Sequence, residues 1–249
     1  MKALITGASS GIGRDFARIL NNMGYDLILV ARRKNKLEQL SKELKGDIRI
    51  IDMDISSTYN CMQLHSMVKN EKIDILINNA GFGLFGKFSD TKLDTELDMI
   101  DLNIKAVHTL TKLFLKDFKK RNSGYILNVA SIASFLPGPL MSTYYATKSY
   151  IFNLTMGIYE ELKQENSNVY IGCLCPGPVD TEFNKVAKVK NSLKSLNSYD
   201  VALYGIKKMF RKKLIIVPGN ITKIGINLSK ILPIRLKTKI SYKIQYSKI

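Results

Sequence analysis

The stretch Lys2-Ala3-Leu4-Ile5-Thr6-Gly7-Ala8-Ser9-Ser10-Gly11-Ile12-Gly13-Arg14-Asp15-Phe16-Ala17 decides the fold. Its opening residues form a short apolar run of strand type, and its closing ones begin an amphipathic segment of helical period. Between the two stand glycines at 7, 11 and 13. Glycine lets the chain turn tightly there and brings bare backbone, with no Cβ in the way, against a bound group. The following helix aims its free N–H groups and positive dipole end at the same point. Gly7, Ser9, Ser10, Gly11, Ile12 and Gly13 therefore read as a cradle for a pyrophosphate.

The same alternation continues along the chain. Apolar runs at Lys2–Thr6, Asp26–Ala31, Ile48–Met53, Asp74–Asn78, Gly124–Val129, Val169–Cys175 and Leu214–Val217 are separated by segments of helical character such as Gly11–Met23, Lys34–Leu44 and Thr58–Lys69. Lys92–Lys120 has room for one bent helix or two. Alternating strands and helices specify βαβ units, so the expected class is α/β: one Rossmann-type doubly wound parallel sheet of about seven strands with helices on both faces. Residues 1–218 would make that domain and residues 219–249 a basic C-terminal extension. Asn184–Asn197, rich in Lys, Ser and Asn, reads as a surface flap.

Composition narrows the function. With 45% hydrophobic and 24% charged residues the chain has the make-up of an ordinary globular core. No stretch is long and apolar enough for a membrane span, and Ala3-Leu4-Ile5 is too short for a signal core, which points to a cytoplasmic location. The C-x-C of Cys173 and Cys175 is expected to send its side chains to opposite faces of a strand, as buried thiols in a reducing compartment. His65 and His108 stand apart from the cysteines, so no metal site is expected.

Two further signals surround the cradle. Arg32 and Arg33 close the second strand, where an acidic residue would accept the ribose 2′-hydroxyl of NAD. Two guanidinium groups suit a 2′-phosphate instead, so NADP(H) is expected to be preferred over NAD(H). At the end of the third strand Asp54, followed by Ile55, is placed to reach an adenine amino group.

Tyr144 and Lys148 stand four apart, neighbours on one face of a helix. A phenol titrates near 10, and a cation beside it favours the phenolate that acid–base work at neutral pH requires. Alone, such a pair is as well explained by an exposed helix face. Its surroundings give it weight: Asn128-Val129-Ala130-Ser131 and Asn78-Asn79-Ala80-Gly81 end strands, and Asn103 lies in a helix between them. The carboxyl ends of parallel strands are where such sheets bind ligands.

In order and spacing, TGASSGIG, NNAG, Asn103, Ser131 and YxxxK resemble the short-chain dehydrogenase/reductase family over residues 1 to about 218. The resemblance implies an oxidoreductase moving a hydride between NADP(H) and a small-molecule carbonyl or alcohol. It implies that Tyr144 is the general acid or base, that Lys148 lowers its pKa and holds the ribose, and that Ser131 binds the carbonyl oxygen. Asn103 would anchor a water that links Lys148 to solvent, and Asn79, Ala80 and Gly81 would steady the nucleotide. Pro176, Gly177, Val179 and Thr181 match the family's turn against the nicotinamide. A homo-oligomer, dimer or tetramer, is also expected. The alternatives are an epimerase or dehydratase on the same fold, or a nucleotide-sensing protein that docks to membranes.

The charge of +17 is unevenly spread. From Val201 to Ile249 there are 12 Lys and Arg and no Asp or Glu. Within that tail Ile221, Ile224, Leu228, Ile231 and Leu232 are expected to form an apolar helical stripe broken by Pro233. Beyond it Leu236, Ile240 and Ile244 have helical spacing, while Leu236, Ile240, Tyr242, Ile244 and Tyr246 alternate as in a strand; helix is the expectation. A basic amphipathic tail suits an anionic membrane surface or packing against its own domain or a second subunit. Nucleic acid is disfavoured, because no recognition module is present.

Overall fold

The computed structural model describes residues 1–183, 187 and 195–247, with the side chains of residues 220, 221 and 227–230 left aside. Most of the expected flap at Asn184–Asn197 lies outside the described residues. The expected strands form one parallel sheet: β1 (Lys2–Thr6), β2 (Asp26–Ala31), β3 (Ile48–Asp52), β4 (Ile73–Asn78), β5 (Tyr125–Val129), β6 (Tyr170–Leu174) and β7 (Ile215–Ile216). Their order is β3-β2-β1-β4-β5-β6-β7. The chain starts at the centre, winds outward to β3, then returns across β1 to β4 and winds the other way. The carboxyl ends of β1 and β4 therefore splay their loops apart, leaving a crevice.

Helices α1 (Gly11–Asn22), α2 (Lys34–Ser41), α3 (Thr58–Val68), α4 (Leu93–Ile100), α5 (Val107–Lys120), α6 (Ser142–Gln164) and α7 (Ser198–Phe210) cover both faces. One apolar cluster joins Ile5, Phe16, Leu20, Leu29 and Leu127 to Val201 and Ile206 on one side of the sheet. The other joins Leu4, Ile28, Leu64, Leu76, Phe114, Phe118 and Ile126. Strands buried on both faces explain why the runs read as continuous rather than alternating apolar stretches.

The long segment after Lys92 is one continuous helical path whose middle, Asp101–Ala106, is wound as a π-helix. Such a turn inserts an extra residue and often marks a functional position. Behind the strand ends runs a buried polar ladder. Asn78 Nδ2 donates to Asn128 Oδ1 at 2.9 Å, and Asn128 Nδ2 donates to Thr155 Oγ1 at 3.0 Å. These bonds tie β4, β5 and α6 in one register and fix where their next residues point.

The expectation for the two cysteines is corrected. Cys173 Sγ and Cys175 Sγ lie 3.7 Å apart and both are buried. Residues i and i+2 of a strand share a face, because the side-chain repeat is two.

The first tail segment is the expected helix, α8 (Asn220–Ile231), and among its described side chains Ile226 enters the core, packed with Val107, Ile151 and Val217. Ile224 and Ile231 remain 60% and 80% exposed, while Ile221 and Leu228 fall among the side chains left aside. A second helix, α9 (Ile234–Tyr246), begins directly after Pro233. Helical period thus prevails over the competing strand period there.

Candidate active site

A cavity of about 1220 Å³ opens at the carboxyl ends of β1, β4 and β5. Gly7, Ser9, Ser10, Gly11, Ile12, Arg32, Arg33, Asp54, Ile55, Asn79, Ala80 and Gly81 line it at one end. Ser131, Tyr144, Lys148, Pro176, Gly177, Val179 and Thr181 line it as well. Of the residues singled out from the sequence, Gly13 and Asn103 stand behind its wall.

Their places explain why they matter. Gly7 turns the chain with φ +67°, and a Cβ at Gly13 would sit 2.3 Å from the Gly7 carbonyl oxygen. The strand-to-helix turn can close only with glycine at this point, which sets the α1 N-terminus against the cavity. Thr6 Oγ1 accepts from the backbone N–H groups of Asn79 and Ala80 at 3.0 and 3.1 Å, so the β1 and β4 loops are stitched together. A glycine turn that leaves no room for a Cβ, placed at the N-terminus of α1, fits a pyrophosphate.

Beside it is a cluster of charged side chains. Arg33 Nη2 donates to Ser10 Oγ at 2.8 Å and to Ser9 Oγ at 3.0 Å. Arg33 Nη1 also pairs with Glu182 Oε2 at 2.7 Å, and Lys36 Nζ with Glu182 Oε1 at 2.5 Å. Lys36 first, then Arg33, holds the Glu182 carboxyl down to about 2. Arg32 is 68% exposed and stands 3.7 Å from Asp54. Neither Lys36 nor Glu182 was evident from the sequence, since only the fold brings the loop after β6 beside the start of α2.

At the other end Tyr144 is 9% exposed, 5.2 Å from Phe183 between ring centroids. Burial pushes its phenol well above the ordinary value, and a hydrogen bond with Ser131 works in the opposite direction. Ser131 Oγ in turn accepts the Ala133 N–H at 3.1 Å, which fixes its rotamer. Lys148 Nζ donates to the Val129 carbonyl at 3.0 Å and stands 5.9 Å from the Tyr144 ring centroid. Burial pulls this ammonium down to about 8.

In the protein by itself burial is the largest influence on the Tyr144 phenol and raises it, the direction opposite to the one expected from Lys148. Asn103 is fully buried on the π-turn, donating to the Phe82 carbonyl at 2.9 Å and to Thr147 Oγ1 at 3.1 Å. Its Oδ1 and Lys148 Nζ both crowd Gly81, where a Cβ would meet them at 2.8 and 3.3 Å.

Phe82, Leu102, Leu136, Met141 and Phe183 make the apolar wall around Tyr144. Leu232, Lys237, Ile240, Ser241, Ile244 and Gln245 close the cavity from the tail. The tail residues carry no local motif and were missed. Their only sequence signal is a polar series at helical spacing, Lys237, Ser241 and Gln245, inside an otherwise apolar and basic segment.

A parallel doubly wound sheet with a phosphate cradle and a buried Tyr–Lys–Ser cluster at one crevice defines a nucleotide-binding oxidoreductase class. Comparison with known proteins agrees. The short chain dehydrogenase family model matches residues 1–191. An uncharacterized oxidoreductase of Staphylococcus epidermidis is 30% identical over 208 residues, covering 82% of this chain and 90% of that one.

Among solved structures, a short-chain dehydrogenase from Sphingobium yanoikuyae in complex with NADPH is 26% identical with a TM-score of 0.82. The match covers 93% of this chain and 96% of that one. The bulky-bulky ketone specific alcohol dehydrogenase from Comamonas testosteroni is 27% identical with a TM-score of 0.80, over 92% and 90% of the two chains. The chain belongs to the short-chain dehydrogenase/reductase family of oxidoreductases.

Proposed function

We propose that the protein is an NADP(H)-dependent reductase of carbonyl compounds, with Tyr144 as the proton donor. The observation that carries this reading is the buried pairing of Tyr144 with Ser131 in the same cavity as the glycine cradle and Arg33. Gly7, Ser9, Ser10, Gly11 and Ile12 would hold the pyrophosphate of the nucleotide. Asp54 and Ile55 would flank the adenine, and Lys148 would hold the ribose. Arg33 and Lys36 would take the 2′-phosphate, since they already grip a carboxylate there. A nicotinamide nucleotide bound in this cradle supplies or takes up the hydride.

The chain's own groups manage the proton. Ser131 donates to the carbonyl oxygen as negative charge grows on it, and Tyr144 delivers its proton to the same atom. Burial alone makes this phenol a weaker acid, so a cation beside it is needed to bring it nearer the operating pH in either direction. The reverse oxidation requires Tyr144 as base, and Lys148 beside the site is the cation available to favour its phenolate. Phe82, Met141 and Phe183 exclude water from this step.

The test is a panel of carbonyl compounds with NADPH, the product identified by mass spectrometry. Tyr144→Phe should abolish turnover while NADPH still binds. No steady NADPH consumption on any compound, or equal losses in Tyr144→Phe and Tyr145→Phe, would overturn the assignment.

A further inference from the structure

Helix α9 is built inside out. Its buried side chains are polar, Ser241 at 5% and Gln245 at 2% exposure. Its solvent side carries Leu236, Tyr242 and Tyr246 at 43% exposure or more, among the exposed Arg235, Lys239 and Lys243. A surface helix ordinarily buries its apolar stripe and turns polar residues outward. Burying Ser and Gln costs free energy unless partners repay it, so this face has a polar counterpart.

Part of that counterpart is Tyr145. Gln245 Nε2 donates to the Tyr145 hydroxyl, which is also hydrogen-bonded to Ser241. The Tyr145 ring is pressed against Gly138, where a Cβ would lie 2.1 Å from it. The Tyr145 ring meets Tyr144 edge-on at 6.1 Å between centroids. The tail is therefore one side chain away from the proposed proton donor, and Tyr145 is clamped between the 138 loop and α9.

The rest of the inner face is open to the cavity. Lys237, Ser241 and Gln245 are spaced by four and all line it, with Ile240 and Ile244 alongside. Eight residues separate Lys237 from Gln245, about 12 Å along a helix. Lys237 is half-buried, and no salt bridge involves it among the described residues. Of the lining acids, Asp54 lies near Arg32, and Glu182 is held by Arg33 and Lys36. Asp98, from α4, is the third. The tail around Lys237 has no acidic residue from Val201 onward, so its field draws anions to this mouth.

We infer that α9 is a substrate-reading wall, and that the carbonyl substrate carries an apolar body ending in an anionic group held by Lys237. This inference rests on the reductase reading of the same cavity. The apolar body lies against Phe82, Leu136, Phe183, Ile240 and Ile244. The hydroxyl and amide of Ser241 and Gln245 orient Tyr145 beneath it. The anionic group is a carboxylate or a phosphate, which share the same chemistry toward an ammonium.

The experiment compares methyl octyl ketone with its ω-carboxylate and ω-phosphate analogues, using full-length protein with NADPH. The wild type should show a lower KM for one of the anions than for the ketone, and that anion names the source. Lys237→Gln should raise the anion-to-ketone KM ratio about tenfold, and Lys237→Arg should restore it. A ratio unchanged by Lys237→Gln overturns the inference. Calorimetric titration of the anions into the NADPH-bound protein supplies a readout independent of turnover. If binding depends on Lys237 while no ketone is reduced, the reductase reading fails and the wall stands. If neither binding nor KM depends on Lys237, the wall is wrong whatever the activity.

Discussion

Lys148 is a cation almost wholly buried at the cavity wall, and replacing it should make the protein more stable. Its side chain is 6% exposed, and burial lowers it from 10.5 to about 8. At about 1.4 kcal/mol per unit, keeping it charged in the folded state costs about 3 kcal/mol. Lys148→Met removes the charge and keeps a long flexible chain of similar volume. It also removes the donor to the Val129 carbonyl at 3.0 Å, which returns about 1 kcal/mol of cost. The net gain expected at neutral pH is about 2 kcal/mol.

The sign with pH follows from the depressed folded value. Below about 8 the ammonium is charged in both folded and unfolded states, and the whole penalty is present. As pH rises toward 10.5 the folded state has already lost its proton and the penalty fades. The difference between wild type and variant should therefore shrink over that window. Guanidinium unfolding followed by circular dichroism, without added nucleotide, measures it, and carbonyl reduction should be lost in the same variant. A Lys148→Met protein less stable than wild type at neutral pH, or a difference indifferent to pH, would refute the reasoning.

The remaining predictions concern the charged cluster and the tail. Arg33→Ala should weaken NADPH binding by about 10–100-fold and NADH binding little, since one charge-assisted contact is worth about 1.5–3 kcal/mol; equal affinity of the wild type for both nucleotides would contradict the site. Glu182→Gln frees Arg33 and Lys36 from a carboxylate that competes for them, so NADPH should bind several-fold more tightly by fluorescence titration while NADH is unchanged. Ile231 and Ile234, exposed beside a row of lysines, should let the protein pellet with anionic liposomes at low salt and less at high salt. Absence of pelleting at low salt would leave that face to another partner.

What could be read from the sequence follows from how local each cause is. The seven strands are set by short apolar runs buried on both faces, and the structure places them within a residue or two of expectation. The glycine turn is equally local, because backbone dihedrals and close approach constrain it residue by residue. Tyr144 and Lys148 are fixed by helix spacing, yet their electrostatics were misjudged. A four-residue interval says that two groups are near, whereas their pKa values depend on how much water the rest of the fold removes. The cysteine pair shows the converse: two-residue periodicity settles its geometry, and the shared face was available from the sequence.

The charged cluster and the tail wall were hidden for a different reason. Glu182 is 149 residues from Arg33, and Gln245 is 100 from Tyr145, so no window contains both partners. Hydrophobic patterning finds what a helix buries only when the buried face is apolar, and α9 buries its polar one. The expected stripe left open whether Ile224 and Ile231 face a membrane or the domain; the structure leaves both exposed and turns Ile226 into the core. Helix α9 turns Ser241 and Gln245 inward and leaves Leu236, Tyr242 and Tyr246 outside among Arg235, Lys239 and Lys243. Its inner contacts are Tyr145 and the cavity, which no hydrophobic pattern within the helix announces.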